Sequence, residues 1–200
     1  MRMRQLATES GLPTATIKFY LREGLLHEGV RGAPNQAVYD HTHLRRIALI
    51  RALTVTGGLS LSAAKRVIDA ANSDLSLPDV FEVAQRSLTA DNDLPLPSKA
   101  AFRTVDALFD GWHFRDDNPG RIEAARVIDV LGAVGQEYTR DWLEAYARAA
   151  LGAAEADLRE LDHVPGREAK AATVVVGTVL GDRLFAAIRR VAQEHVTNRS

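Results

Sequence analysis

Between Thr14 and Leu26 the chain reads TATIKFYLREGLL, which places Lys18, Phe19, Tyr20 and Arg22 within five positions. Two cations one helical turn apart, interleaved with aromatic rings, suit a surface that lies on a polyanion. Lys18 and Arg22 are phosphate-type contacts, and Thr16 is a hydrogen-bond donor beside them. A second candidate, Asp40-His41-Thr42-His43, holds metal-ligand side chains. On a helix, however, positions i and i+2 point about 200° apart, so His41 and His43 do not readily share one ion. Asp40 is therefore read as a helix cap beside solvated histidines, and no metal site is expected. Asp116, Asp117, Glu123 and Asp129 have the chemistry of acid–base catalysis, but no spacing demands a site, so neither an enzyme nor a cofactor is expected. The third candidate is aromatic. Trp112-His113-Phe114 and the four-residue steps Tyr138, Trp142 and Tyr146 suit the lining of a pocket for a small apolar or aromatic ligand, with His113 as its polar contact.

Composition narrows the partners. Of 200 residues, 46% are hydrophobic, enough to fill real cores, and the formal net charge is −1. That balance hides an asymmetry: residues 1–71 carry ten Lys/Arg against five acids, and the other 129 residues carry 15 against 21. A basic first third on an acidic remainder directs a polyanion to the first third. The chain has no cysteine, which excludes disulfides, thiolate metal sites and iron–sulfur clusters. The densest apolar run, Ala171 to Leu180, is ten residues long, so no membrane partner is expected. The segment MRMRQLATES lacks the apolar stretch of a signal peptide, and a cytoplasmic location is the expectation.

The elements that must position these residues read as helices. MRQLATESGLPTATIKFYL has helix-turn-helix spacing: Leu6 and Ala7 in one helix, Gly11 at a turn that wants positive φ, and Ile17 plugging the interface from the next helix. There Ile17, Tyr20 and Leu21 share one face, while Thr16, Lys18, Phe19 and Arg22 turn outward. After Gly24, LLHEGV-RGAPNQ-AVYD reads as two short strands around a turn. Asp40 caps HTHLRRIALIRALTVT, and Ser60 caps LSAAKRVIDAA. Residues 72–98 read as a Pro/Asp/Ser-rich linker with a short helix over 79–88. Residues 99–200 read as all helical. Ser98 and Asn118-Pro119 are start signals, apolar steps run from Ile122 to Leu158, and a last helix covers about 168–195.

The motifs MRQLATESGL, TIKFYLREGLL, VYDHTHLRRIALIRAL and GLSLSAAKRVI, in that order over residues 1–71, resemble the DNA-binding domain of the MerR family of bacterial transcription regulators. The resemblance implies a mainly α protein. A winged helix-turn-helix would occupy 1–71, with its second helix in the major groove. An all-helical effector and dimerisation domain would occupy 99–200. It implies a DNA-facing set of Arg4, Gln5, Thr14, Thr16, Lys18, Phe19, Tyr20, Arg22, Arg31, Asn35, Gln36, Tyr39, Arg45 and Arg46. The implied partners are a promoter inverted repeat in double-stranded DNA, a second copy of the chain, and RNA polymerase.

Four positions depart from the family pattern. Pro13 stands where a polar cap is usual, so Thr14 is expected to cap the recognition helix. Ala15 stands where an arginine often reads a base. Phe19-Tyr20 replaces a Tyr-Tyr pair, and Asn35-Gln36-Ala37 replaces Gly-Tyr-Arg in the wing. The family's long dimerisation helix after the fourth helix is replaced by a short segment around Phe81, so dimer contacts are expected from the 119–162 stretch, one long helix or two joined near Gly132–Gly135, or from the Gly177/Gly181 helix. The expected function is a dimeric, sequence-specific transcription regulator responsive to a small organic effector. The alternative is a ligand-independent DNA-binding regulator whose C-terminal helices serve only dimerisation or a protein partner.

Overall fold

A computed structural model describes residues 1–33, 36–89, 95–136 and 138–199, and among these it contains nine α-helices and one two-stranded antiparallel sheet. Helix α1 (Met3–Ser10) ends at Gly11, whose φ of 67° is the left-handed geometry expected of it; its N–H reaches the carbonyls of Ala7 and Thr8. The chain then reverses into α2 (Thr14–Arg22). No side chain caps α2: Pro13 holds the N-cap position, and Thr14 is the first helical residue rather than the cap. Proline's fixed φ enters a helix without a donor to satisfy, which removes the position that Thr14 would have capped.

Strands β1 (Val30–Ala33) and β2 (Gln36–Val38) form the wing, pairing Val30 with Val38 and Arg31 with Ala37, with an irregularity before Ala33. Helix α3 (His41–Arg51) starts at Asp40, whose carboxylate accepts from Thr42 N–H at 2.9 Å while its own N–H donates to His43 Nδ1 at 3.1 Å. Bonding from Thr42 first, and then from His43, holds the Asp40 carboxyl well below the usual range. A π-helical turn, Ala52–Thr56, continues α3. Helix α4 (Leu61–Ala71) is capped by Ser60, and α5 (Leu77–Leu88) follows. Leu6, Ile17, Leu25, Leu26, Ile47, Ile50 and Leu53 are all buried and form the heart of this region's core.

The chain divides into two compact units: Met1–Ser87 with Val174–Ser200, and Leu88–Thr173. The second unit is built on α6 (Lys99–Leu108), α7 (Pro119–Ala133) and α8 (Arg140–Asp162). The apolar steps over 119–162 thus resolve as two helices, with Gly135 at φ 73° in the break. Ala101, Val105 and Ala125 are its buried centre, with Phe102, Phe109, Ala124 and Ile128 packed around them. Polar latches brace α6 against α7. Arg121 gives two bonds to the Asp106 carboxylate, at 2.7 and 2.8 Å, and lies 4.5 Å over the Phe102 ring. Asp129 accepts from the Ser98 N–H and hydroxyl at 2.6 and 2.7 Å.

Helix α9 (Arg167–Thr197) is 31 residues long, and its part from Val174 onward belongs to the first unit, whereas the sequence pattern grouped all of 99–200 together. Val174, Val175 and Val179 are buried. Arg183 Nη2 donates to the Gly57 carbonyl at 3.3 Å. An 18-residue window of α9 has a mean hydropathy of 1.6, so by length and composition this helix meets the measure for a membrane span, contrary to the expectation drawn from its ten-residue apolar run. Core helices of soluble proteins meet the same measure, and 22% of that window is buried. The bond from Arg183 to Gly57 ties α9 to a polar backbone group of the first unit.

Candidate nucleic-acid interface

Helix α2 separates its residues cleanly. Ile17 and Tyr20 are buried, Ala15, Lys18 and Arg22 are exposed, and Thr14, Thr16 and Phe19 lie between. Ala15, Lys18 and Arg22 fall at steps of three and four, which aligns them along one outward line. That line holds two cations and one methyl, at the position where the family often has a third cation. Arg22 is 5.2 Å over the Phe19 ring and 3.2 Å from the Glu23 carboxylate. An ion pair this exposed contributes little and leaves the guanidinium free to exchange Glu23 for a phosphate.

On α1, Arg4 and Gln5 are exposed, with Gln5 donating to Glu9 at 2.8 Å. Arg31 and Gln36 lie on the wing strands; their side chains, and the whole of Asn35, are outside the described residues. Tyr39 follows β2 directly and is buried rather than outward. Its backbone exchanges two bonds with Met1, at 2.6 and 2.9 Å, and burial raises the pKa of its phenol. Tyr20 is likewise a core residue.

Arg45 and Arg46 diverge. Arg45 is exposed, whereas Arg46 is half-buried and its Nε donates to the Leu25 carbonyl at 2.8 Å. Burial draws the Arg46 pKa down. This arginine clamps the end of the α2 region to α3, a role that the Arg-Arg pair gives no local sign of. Arg46→Ala would leave the Leu25 carbonyl unpaired in a half-buried setting and is expected to cost about 1–3 kcal/mol in urea unfolding. Arg45→Ala should leave the unfolding curve unchanged and weaken DNA binding only.

The candidate effector residues sit in the second unit as two aromatic groups. Phe109 stacks on Trp112, with ring centroids 4.9 Å apart, and meets Phe114 edge-on at 5.8 Å. His113 is exposed between them. Tyr138, Trp142 and Tyr146 form a ladder leading onto α8, at 4.0 and 4.2 Å. Beside Tyr138 lies a groove of about 220 Å³ lined by Thr104, Ala107, Leu108, Tyr138, Arg140 and Leu143. Among these lining residues only Tyr138 was among the candidates from the sequence; Thr104 and Leu108 reach the groove from α6.

Residues 1–71 match the family model described as "MerR HTH family regulatory protein". Among solved structures, the chain is similar to SCO5550 from Streptomyces coelicolor A3(2), described as a candidate transcriptional regulator. The two are 28% identical with a TM-score of 0.70, over 100% of this chain and 97% of that one. No curated protein matches the chain significantly. The first 71 residues are a MerR-family helix-turn-helix domain, and the chain that carries them is a DNA-binding transcription regulator.

Proposed function

We propose that the protein binds an inverted repeat at a promoter as a homodimer, with α2 in the major groove, and that a small organic effector held by the second unit alters its action. The observation that carries this reading is the partition of α2, which buries Ile17 and Tyr20 and turns Lys18 and Arg22 outward. As implied by the family resemblance, RNA polymerase is the partner at a promoter with a long spacer. The regulator would change DNA twist there, at a cost set by how deformable the sequence is. A second copy of the chain is supported by α9, where Leu184, Phe185, Ile188 and Val191 are exposed at steps that place them on one side of the helix. The groove beside Tyr138 and the aromatic ladder support an apolar or aromatic effector. A cytoplasmic protein associated with the nucleoid follows from this role.

Fluorescence anisotropy on the intergenic DNA upstream of the gene tests it. Sub-micromolar binding is expected, falling by about 10³ or more between 50 and 200 mM salt as phosphate counterions are released. A flat salt response would remove the DNA reading. Thermal shifts across a metabolite panel test the effector. A silent panel would leave a ligand-independent regulator.

A further inference from the structure

The fold brings His27, which precedes the wing, to the start of α3, 16 residues away. His27 and His43 rings lie 3.9 Å apart between centroids, and one donor atom from each of His27, Asp40 and His43 lies within 4.8 Å of the others. We propose that these three side chains form a site for a borderline divalent cation such as Zn²⁺ or Co²⁺, with solvent completing the coordination.

The local bonding argues for a cation. His43 is buried, and its Nδ1 receives the Asp40 N–H at 3.1 Å while Asp40 Oδ1 stands 2.9 Å from the same nitrogen. With the proton on Nε2, the Nδ1 lone pair faces a carboxylate, and the Nε2–H is buried without a nitrogen or oxygen partner. With the proton on Nδ1, it opposes the Asp40 N–H. Neither neutral tautomer satisfies the whole set. A cation between Nδ1 and Oδ1 would take the Nδ1 lone pair in place of the Asp40 N–H and remove the clash between that lone pair and the carboxylate. Two imidazoles and a carboxylate are a donor set suited to zinc and cobalt.

His27 is exposed, and its Nε2 meets Thr42 Oγ1 at 3.0 Å. Metal–donor bonds of about 2.0–2.2 Å place tetrahedral donors about 3.4 Å apart, so closure asks His27 to move in from a donor spacing of up to 4.8 Å and the Asp40–His43 pair to open slightly from 2.9 Å. Arg46 is the neighbouring like charge, and its guanidinium is engaged with the Leu25 carbonyl. The pairing excluded in the sequence, His41 with His43, is not the one the fold creates.

The position gives the ion a consequence. His27 and Asp40 are the two feet of the β1–β2 hairpin, and an ion between them would staple the wing beside the recognition helix. That consequence rests on the DNA-binding reading; the site itself does not.

Untagged full-length protein is titrated with Co²⁺ and followed by visible absorption, and its melting is recorded with and without Zn²⁺. Expected are bands saturating at one equivalent and a Tm rise of about 5 °C at saturating Zn²⁺. Both should be lost in His27→Gln and in Asp40→Asn and kept in His41→Gln. The side chains replaced in these variants are exposed, and asparagine caps a helix as well as aspartate, so circular dichroism should show an unchanged fold. No band in the wild type, or bands that survive His27→Gln or Asp40→Asn, would overturn the site. Because this readout contains no DNA, a failed operator titration leaves it intact.

Discussion

Gly57→Ala should lower the melting temperature by about 6–12 °C and release the C-terminal part of α9 from the first unit. The reason is space. A Cβ at Gly57 would overlap Cγ1 of Val179 and lie 2.6 Å from the Leu53 carbonyl oxygen. The carbonyl has little freedom to yield, because it lies within the π turn and accepts from Leu59 N–H at 3.0 Å. Leu53 itself is fully buried. Val179 is β-branched and stiff, and on a helix its alternatives are few. Overpacking of this kind costs about 3 kcal/mol. The neighbouring Gly58 adds to the constraint with a φ of 76° and the Arg183 guanidinium against it. A double-mutant cycle makes the contact specific. Val179→Ala alone should destabilise by about 1–3 kcal/mol, yet combined with Gly57→Ala it should cost clearly less than the two added together. Strict additivity would mean that α9 packs elsewhere.

The second large effect concerns DNA. Lys18 is exposed at the centre of the outward line of α2, with no competing acid bonded to it among the described contacts. Lys18→Ala should therefore weaken binding to all sequences alike and reduce the salt slope by about one per protomer. In a dimer the loss applies twice, so affinity at low salt should fall about ten-fold or more. Thr16→Ala acts differently. Its side chain is half-buried at the edge of the same face, and its removal should change which operator positions tolerate mutation while leaving the salt slope unchanged. Quantitative binding to a set of singly mutated operators separates the two. If both variants bind as wild type does, α2 is not the helix in the groove.

Much of the architecture was legible because its signals are local. Gly11 in a left-handed turn, Asp40, Ser60 and Ser98 at helix starts, and Asn118-Pro119 before α7 each satisfy backbone groups within three or four residues. The same holds for the two faces of α2, since helical periodicity alone divides Ile17 and Tyr20 from Lys18 and Arg22. Thr14 shows the limit even of local signals, because Pro13 took the cap position that its hydroxyl suited.

What the sequence did not reveal depends on which element arrives from far along the chain. Arg45 and Arg46 are chemically identical neighbours, and only the approach of the Leu25 carbonyl makes one a clamp and leaves the other in solvent. The Asp-His-Thr-His run reads as a cap, and it becomes a candidate cation site only when the turn before the wing delivers His27. The apolar run in α9 has no directional signal of its own; burial is not directional, and any surface with matching space would take it. Sequence by itself determined the elements and their faces, because hydrogen-bond satisfaction and helical period are short-range. Tertiary structure decided that Val179 and Arg183 meet Gly57 and Gly58, because two glycines left the room, and no residue near 179 encodes where that room is.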